Sequence, residues 1–131
     1  MARGDAPAST VEEYLDALPA ADAAALRRVR DEILALVPGG DQRISYQVPC
    51  VTYRDRPLVS LSRARDHLSL HLQSPPLARA LAGTVTDVRW SGATAHFTAD
   101  APPSRATLEQ VVRGRIAEVD ARLDARSAGR G

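Results

Sequence analysis

The spacing of apolar residues along the first third of the chain is helical. Apolar side chains recur at i, i+3, i+4 and i+7 between Val11 and Leu18, which predicts a short helix. Thr10 and Glu13 have the spacing of a capping box at its start. A second helix is predicted over Ala20 to Val37, because one apolar stripe runs through strong helix formers and Pro38-Gly39-Gly40 then stops it.

The period then changes from 3.6 to 2, which predicts several short strands with turns at Val48-Pro49 and Arg54 to Pro57. Alternation is cleanest from His67 to Leu72, where three leucines share one face. The predicted strands cover Arg43 to Tyr46, Cys50 to Tyr53, Leu58 to Ser62, His67 to Leu72 and Ala93 to Phe97.

Two more helices are predicted in the second half of the chain. One covers Leu77 to Leu81, and the segment from Thr84 to Trp90 that follows it fits either a strand or a loop. Ser104 is a good N-cap for a long closing helix whose apolar stripe ends at Leu123. Gly114 lies inside that helix at a cost of about 1 kcal/mol relative to alanine, which indicates close packing there.

This order of elements is typical of an α+β domain in which helices cover one face of an antiparallel sheet. We predict a sheet of about five strands with the N-terminal and C-terminal helices on one face. A chain of 131 residues fits one domain, which we place at residues 9–125 with flexible ends at 1–8 and 126–131.

Charge, cysteine content and hydropathy argue against several classes of protein. Seventeen basic and sixteen acidic residues are interspersed and leave a net charge of +1, which argues against nucleic-acid binding. Cys50 is the one cysteine, so no internal disulfide can form, and the polar opening lacks the apolar core of a signal peptide. No apolar run is long enough to span a bilayer. We therefore expect a cytoplasmic protein, either a monomer or a homodimer.

The spacing of the histidines is better suited to a ligand-binding face than to a metal site. Four residues along a strand span about 13 Å, so His67 and His71 are too far apart to share one ion. His96, on another predicted strand, could approach them. Solvated or hydrogen-bonded histidines on a polar sheet face are the commoner alternative.

Two other groups of side chains could carry chemistry. Cys50 could be a nucleophile, although a small apolar residue in a strand is more often packed in the core. Glu12, Glu13 and Asp16 form a carboxylate cluster, and such oxygen ligands suit ferrous iron or magnesium. The alternative is that they complement the dipole at the start of the first helix. No nucleophile, base and orienting group can be assembled from spacing alone, so we expect no enzyme activity.

Four segments occur in a fixed order along the chain, namely Thr10 to Leu15, Ile44-Ser45-Tyr46-Gln47-Val48-Pro49, Pro57-Leu58-Val59 and His67-Leu68-Ser69-Leu70. Together they resemble the YdhG-like family of small bacterial domains, whose members are often labelled frataxin-like iron chaperones. The resemblance covers about Ser9 to Leu123.

The resemblance implies a frataxin-like two-layer α-β sandwich and, for some members, iron delivery to iron-sulfur cluster or haem assembly proteins. Frataxins hold iron through acidic residues of the first helix and a neighbouring strand edge. These would correspond here to Glu12, Glu13, Asp16 and Asp41. His96 stands where the family usually has Arg or Lys.

Two functions are therefore expected. The first is a non-catalytic iron-binding or iron-delivery protein with Glu12, Glu13 and Asp16 as weak ligands. The second is a binding module for a small molecule or a protein, without metal. It would use the sheet face around Tyr46, Pro49, Tyr53, His67, His71 and His96.

Overall fold

The computed structural model describes residues 8–130, and the predicted flexible lead at 1–8 lies almost wholly outside this range. Helix α1 (Val11–Asp16) begins with the expected capping box, in which Thr10 and Glu13 each accept from the backbone of the other. Helix α2 (Ala20–Leu36) follows Pro19 and buries one face.

Six strands form one antiparallel sheet with the order β1-β2-β3-β4-β6-β5. Their bounds are β1 (Asp41–Ser45), β2 (Val48–Tyr53), β3 (Arg56–Arg63), β4 (Leu68–His71), β5 (Arg89–Ser91) and β6 (Thr94–Phe97). The prediction of about five strands is wrong by one, because the ambiguous segment before the last predicted strand contains β5 at its end. β5 has three residues, too few to show a period of 2, and it forms only by pairing with β6.

The two predicted turn signals fall slightly late in the chain. The first reversal lies at Tyr46 and Gln47, both with positive φ, and Val48-Pro49 already belongs to β2. The second lies at Arg54 and Asp55, also with positive φ. Two successive left-handed residues match the twist of the adjoining strands in a two-residue hairpin. Proline was therefore a misleading turn signal at position 49.

Helix α3 (Pro75–Ala82) is capped by the Ser74 side chain, and helix α4 (Arg105–Arg130) closes the fold. Ser104 accepts from the Thr107 backbone at the start of α4, as expected of its cap. Helix α4 continues to Arg130 and so runs through most of the tail at 126–131, whose flexibility stays a prediction.

The helices pack on one face of the sheet and enclose the core between them. Leu26 and Ile33 of α2 and Leu108 of α4 belong to the same buried cluster as the inward side chains of the central strands. This is the two-layer α+β arrangement that the sequence predicts. In the part of the chain that the structure describes, no helix is long and apolar enough to cross a membrane.

Candidate functional site

The sheet has one apolar face and one polar face, and the register fixes which side chains share each. Directly paired residues of antiparallel strands lie on the same face. The apolar row through Val59, Leu61 and Leu70 faces the helices and is buried. The next row, one residue along each strand, consists of Arg43, Cys50, Ser60, His71, Thr94 and Ser91. We call the side to which this row belongs the polar sheet face.

His71 links three strands across the polar sheet face. Its Nε2 lies 2.7 Å from Ser62 Oγ on β3, and its Nδ1 lies 3.2 Å from Thr94 Oγ1 on β6. A neutral imidazole has one donor and one acceptor nitrogen, and either hydroxyl can play the complementary part. Both ring nitrogens of His71 are therefore satisfied within the sheet.

His67 and His96 form the second group on this face. Their rings meet edge to face with centroids 4.7 Å apart. His67 Nδ1 lies 2.8 Å from an Asp66 carboxylate oxygen, and His96 Nδ1 lies 2.9 Å from Ser69 Oγ. Among the described residues, the Nε2 atom of each ring has no hydrogen-bond partner.

A shallow cleft of about 430 Å³ lies beside this pair. It is lined by Asp66, His67, Arg89 and His96, together with residues of the segments at 86–88 and 97–101. We call it the histidine cleft. Its volume falls within the usual range for small-molecule sites.

Two imidazoles of this face, those of His71 and His96, have a lowered pKa. Burial lowers the pKa of His71. The pKa of His96 is also lowered, first by burial and then by the positive charges of His67, Arg89 and His71. The hydrogen bond from His67 lowers the pKa of Asp66, which therefore stays ionised. At neutral pH His71 and His96 are therefore neutral and offer hydrogen-bonding nitrogens.

The other three predicted ligand residues do not join the histidines. Tyr46 is at the tip of the first hairpin with 97% of its surface exposed. Pro49 is paired with Ile44 and belongs to the opposite face from its neighbour Cys50. Tyr53 donates from its hydroxyl to Asp120 of α4 at 2.8 Å, so it contributes to the helix layer.

The three carboxylates predicted to bind metal already form ion pairs or hydrogen bonds within the helix layer. Glu12 forms ion pairs with Arg30 and Arg27, and Asp16 forms one with Arg27. The hydrogen bond from Arg30 is the main reason that the pKa of Glu12 is lowered. Glu13 accepts from the backbone of Ser9 and Thr10 in the capping box. Any cation bound here must compete with two arginines.

Cys50 is buried with 1% of its surface exposed, and its thiol donates to the Val51 carbonyl oxygen at 3.6 Å. Asp41 accepts from the Gln42 backbone at the start of β1. Within residues 8–130, no three His, Cys, Asp or Glu side chains are grouped closely enough to hold a metal ion.

Sequence reasoning missed the hydroxyl groups that position the histidines. Ser62, Ser69 and Thr94 each lie within 3.2 Å of an imidazole nitrogen. The signal was present as alternation of serine with leucine, at Ser60-Leu61-Ser62 and at Leu68-Ser69-Leu70. Serine on a strand carries no chemistry by itself, and only the cross-strand register reveals its partner.

The chain matches no model of a known protein family, and no curated protein matches it. A solved structure that it resembles is that of a protein from the DUF1801 family, YdhG, from Bacillus subtilis. The two chains are 14% identical and superpose with a TM-score of 0.75. The match covers 83% of this chain and 90% of that chain. The fold is therefore YdhG-like, that of a small domain of unknown function.

Proposed function

We propose that this chain is a non-catalytic binding module for a small polar molecule, which enters the histidine cleft of the polar sheet face. The observation that carries the proposal is the pair His67 and His96. Both rings are fixed through Nδ1, by Asp66 and Ser69, and their Nε2 atoms are left for a ligand.

The chemistry of the ligand follows from the tautomers. A carboxylate only accepts, so His67 must donate its Nδ1 proton to Asp66, and its Nε2 is then an acceptor in the neutral ring. Arg89 lines the same cleft and offers only donors. A ligand with a hydroxyl or N–H group can donate to His67 Nε2, and a neighbouring carbonyl or carboxyl oxygen of that ligand can accept from Arg89.

The side chains around His71 do not supply a catalytic triad. Ser62 and His71 are close enough to act as nucleophile and base, but the third partner is the Thr94 hydroxyl. A neutral hydroxyl cannot stabilise an imidazolium ion as a buried carboxylate does. These three side chains are better suited to holding the strands in register.

The competing hypothesis is iron delivery by a frataxin-like domain to iron-sulfur or haem assembly proteins, and it stays a prediction. It requires ferrous iron to bind at Glu12, Glu13 and Asp16. Because Glu12 and Asp16 already neutralise Arg27 and Arg30, iron would have to displace guanidinium groups from both. The histidine cleft requires no such displacement.

The test is a screen of small alcohols, amides and hydroxy acids against the full chain, followed residue by residue by NMR in the presence of EDTA. We expect shift changes grouped at Asp66, His67, Arg89 and His96. The double variant His67→Ala/His96→Ala should weaken the best fragment by about tenfold, the loss expected for two hydrogen bonds. The control variant Gln110→Ala removes an exposed amide from α4 and should leave the affinity unchanged.

Two results would contradict the proposal. One is a set of fragment shifts that lies away from the histidine cleft or survives in the double variant. The other is signal broadening at Glu12, Glu13 and Asp16 with anaerobic ferrous iron but not with magnesium, which would support the iron hypothesis instead.

A further inference from the structure

A second and larger cleft lies at the far end of the molecule, between the second half of α4 and the starts of α3 and β3. Its volume is about 710 Å³. Arg115, Arg122 and Arg126 line it from α4, and Arg56 lines it from β3. We call it the arginine cleft. It shares no lining residue with the histidine cleft.

One of these arginines is a fixed part of the wall. Arg115 is 12% exposed and donates to the backbone carbonyls of Leu58, at 2.8 Å, and Pro57, at 3.0 Å. It also pairs at 2.8 Å with Glu118, which accepts from Ser74 as well. Among the described residues that line the cleft, Glu118 is the one carboxylate, and Arg115 neutralises it.

The other three arginines keep their charge uncompensated. The guanidinium groups of Arg56, Arg122 and Arg126 form no ion pair or hydrogen bond with any described residue. Within residues 8–127, whose side chains the structure describes, nine arginines have a carboxylate partner, and the six without one are Arg56, Arg65, Arg79, Arg89, Arg122 and Arg126. Half of these six therefore meet at one cleft, in a chain whose charges are otherwise nearly balanced.

The rest of the lining is largely apolar and rigid. Pro57, Pro75 and Pro76 offer fixed ring surfaces, and Val119 and Leu123 share the helix face of the arginines at i+4 and i+8 from Arg115. Guanidinium groups bind phosphate and carboxylate through paired hydrogen bonds. An apolar wall beside them favours a ligand that is more than a bare inorganic ion.

We propose that the arginine cleft binds a small organic anion. Arg56, Arg122 and Arg126 hold its phosphate or carboxylate group, and the prolines and Leu123 cover its apolar body. The proposal does not depend on the histidine cleft, since it stands on other residues.

The probe is 1-naphthyl phosphate, titrated into the full chain and followed by backbone NMR, with 1-naphthol as the neutral match and inorganic phosphate as the bare anion. We expect 1-naphthyl phosphate to bind more tightly than either and to shift signals of Arg56, Gln73 and residues 119–126. The variant Arg56→Gln/Arg122→Gln/Arg126→Gln should weaken this binding by about tenfold, as the loss of three partly solvated charge contacts predicts.

The matched control is Arg65→Gln/Arg79→Gln/Arg113→Gln, which removes three exposed positive charges from elsewhere on the surface. We expect it to weaken binding less than about twofold, because none of the three side chains lines the cleft and salt screens exposed charges that do not contact the ligand. Equal weakening by the two triple variants would overturn the proposal and show general charge attraction. The proposal would also be overturned if 1-naphthol bound as tightly as 1-naphthyl phosphate. Absence of binding by 1-naphthyl phosphate at about 5 mM would overturn it too, because even very weak recognition is detectable at that concentration.

Discussion

Replacing Gly114 by alanine tests the packing between α3 and α4, which also sets the wall of the arginine cleft. A Cβ atom at this position would lie 2.6 Å from Leu77 Cδ1 and 2.9 Å from Leu77 Cδ2. Carbon atoms prefer separations of about 3.5 to 4.0 Å, so the leucine side chain must move by nearly an ångström. Gly114 therefore allows a close approach of the two helices, as its position inside a helix predicted.

Two opposing terms set the expected free energy. Alanine is favoured over glycine inside a helix by about 1 kcal/mol. Overpacking a close contact costs about 1 to 3 kcal/mol. We expect Gly114→Ala to lower the free energy of unfolding by about 1 kcal/mol, since the second term is the larger.

The assay is urea denaturation of four proteins, namely the wild type, Gly114→Ala, Leu77→Ala and the double variant. With Leu77 shortened the contact disappears, so Gly114→Ala should then raise the free energy of unfolding by up to about 1 kcal/mol. The sign of its effect thus reverses between the two backgrounds. The reasoning is refuted if Gly114→Ala stabilises the wild type as much as it stabilises Leu77→Ala.

Three further predictions concern the helix layer, a hairpin and the polar sheet face. Arg30 is 8% exposed and bonds to Glu12, so Arg30→Ala should lower the free energy of unfolding by about 2 to 3 kcal/mol. Urea denaturation measures this loss, and a loss under about 0.5 kcal/mol would contradict a structural role for the pair. Gln47 has a φ of 68°, a left-handed conformation that costs a residue with a side chain more than it costs glycine. Gln47→Gly should therefore raise the free energy of unfolding by about 0.5 kcal/mol. A lower free energy of unfolding would show instead that the Gln47 side chain makes favourable contacts. Because burial lowers the pKa of His71, the unfolded chain binds its proton more readily, and stability should fall as the pH drops below the ordinary histidine range. One titrating residue can change the free energy of unfolding by at most about 1.4 kcal/mol per pH unit. The effect would be excluded if the free energy of unfolding changed equally between pH 7 and pH 5 in the wild type and in a His71→Gln variant.

Much of the fold follows from local patterns. The caps at Thr10, Ser74 and Ser104 and the apolar stripes of the helices are readable in the sequence because they depend on neighbours within one turn. β5 was not readable as a strand, because three residues gain strand structure only from their partner β6. The hairpin at Tyr46 and Gln47 was misplaced because neither residue is a usual turn former.

The candidate site was predicted in part. Alternation placed the histidines on a polar face, but their grouping depends on register between β4 and β6, which no local pattern contains. The carboxylates of α1 suggested a metal site because the sequence does not show that Arg27 and Arg30 lie one helix away. The sequence predicts that Tyr53 lies with the histidines, because only the structure shows its hydroxyl reaching α4.

The most direct test of the polar sheet face as a ligand site is a crystal of the full chain soaked with the best fragment from the NMR screen, grown with EDTA. The account predicts electron density for the fragment in the histidine cleft, within hydrogen-bond distance of Nε2 of His67 or His96. Density for the fragment only elsewhere on the molecule, with both Nε2 atoms still free, would contradict it.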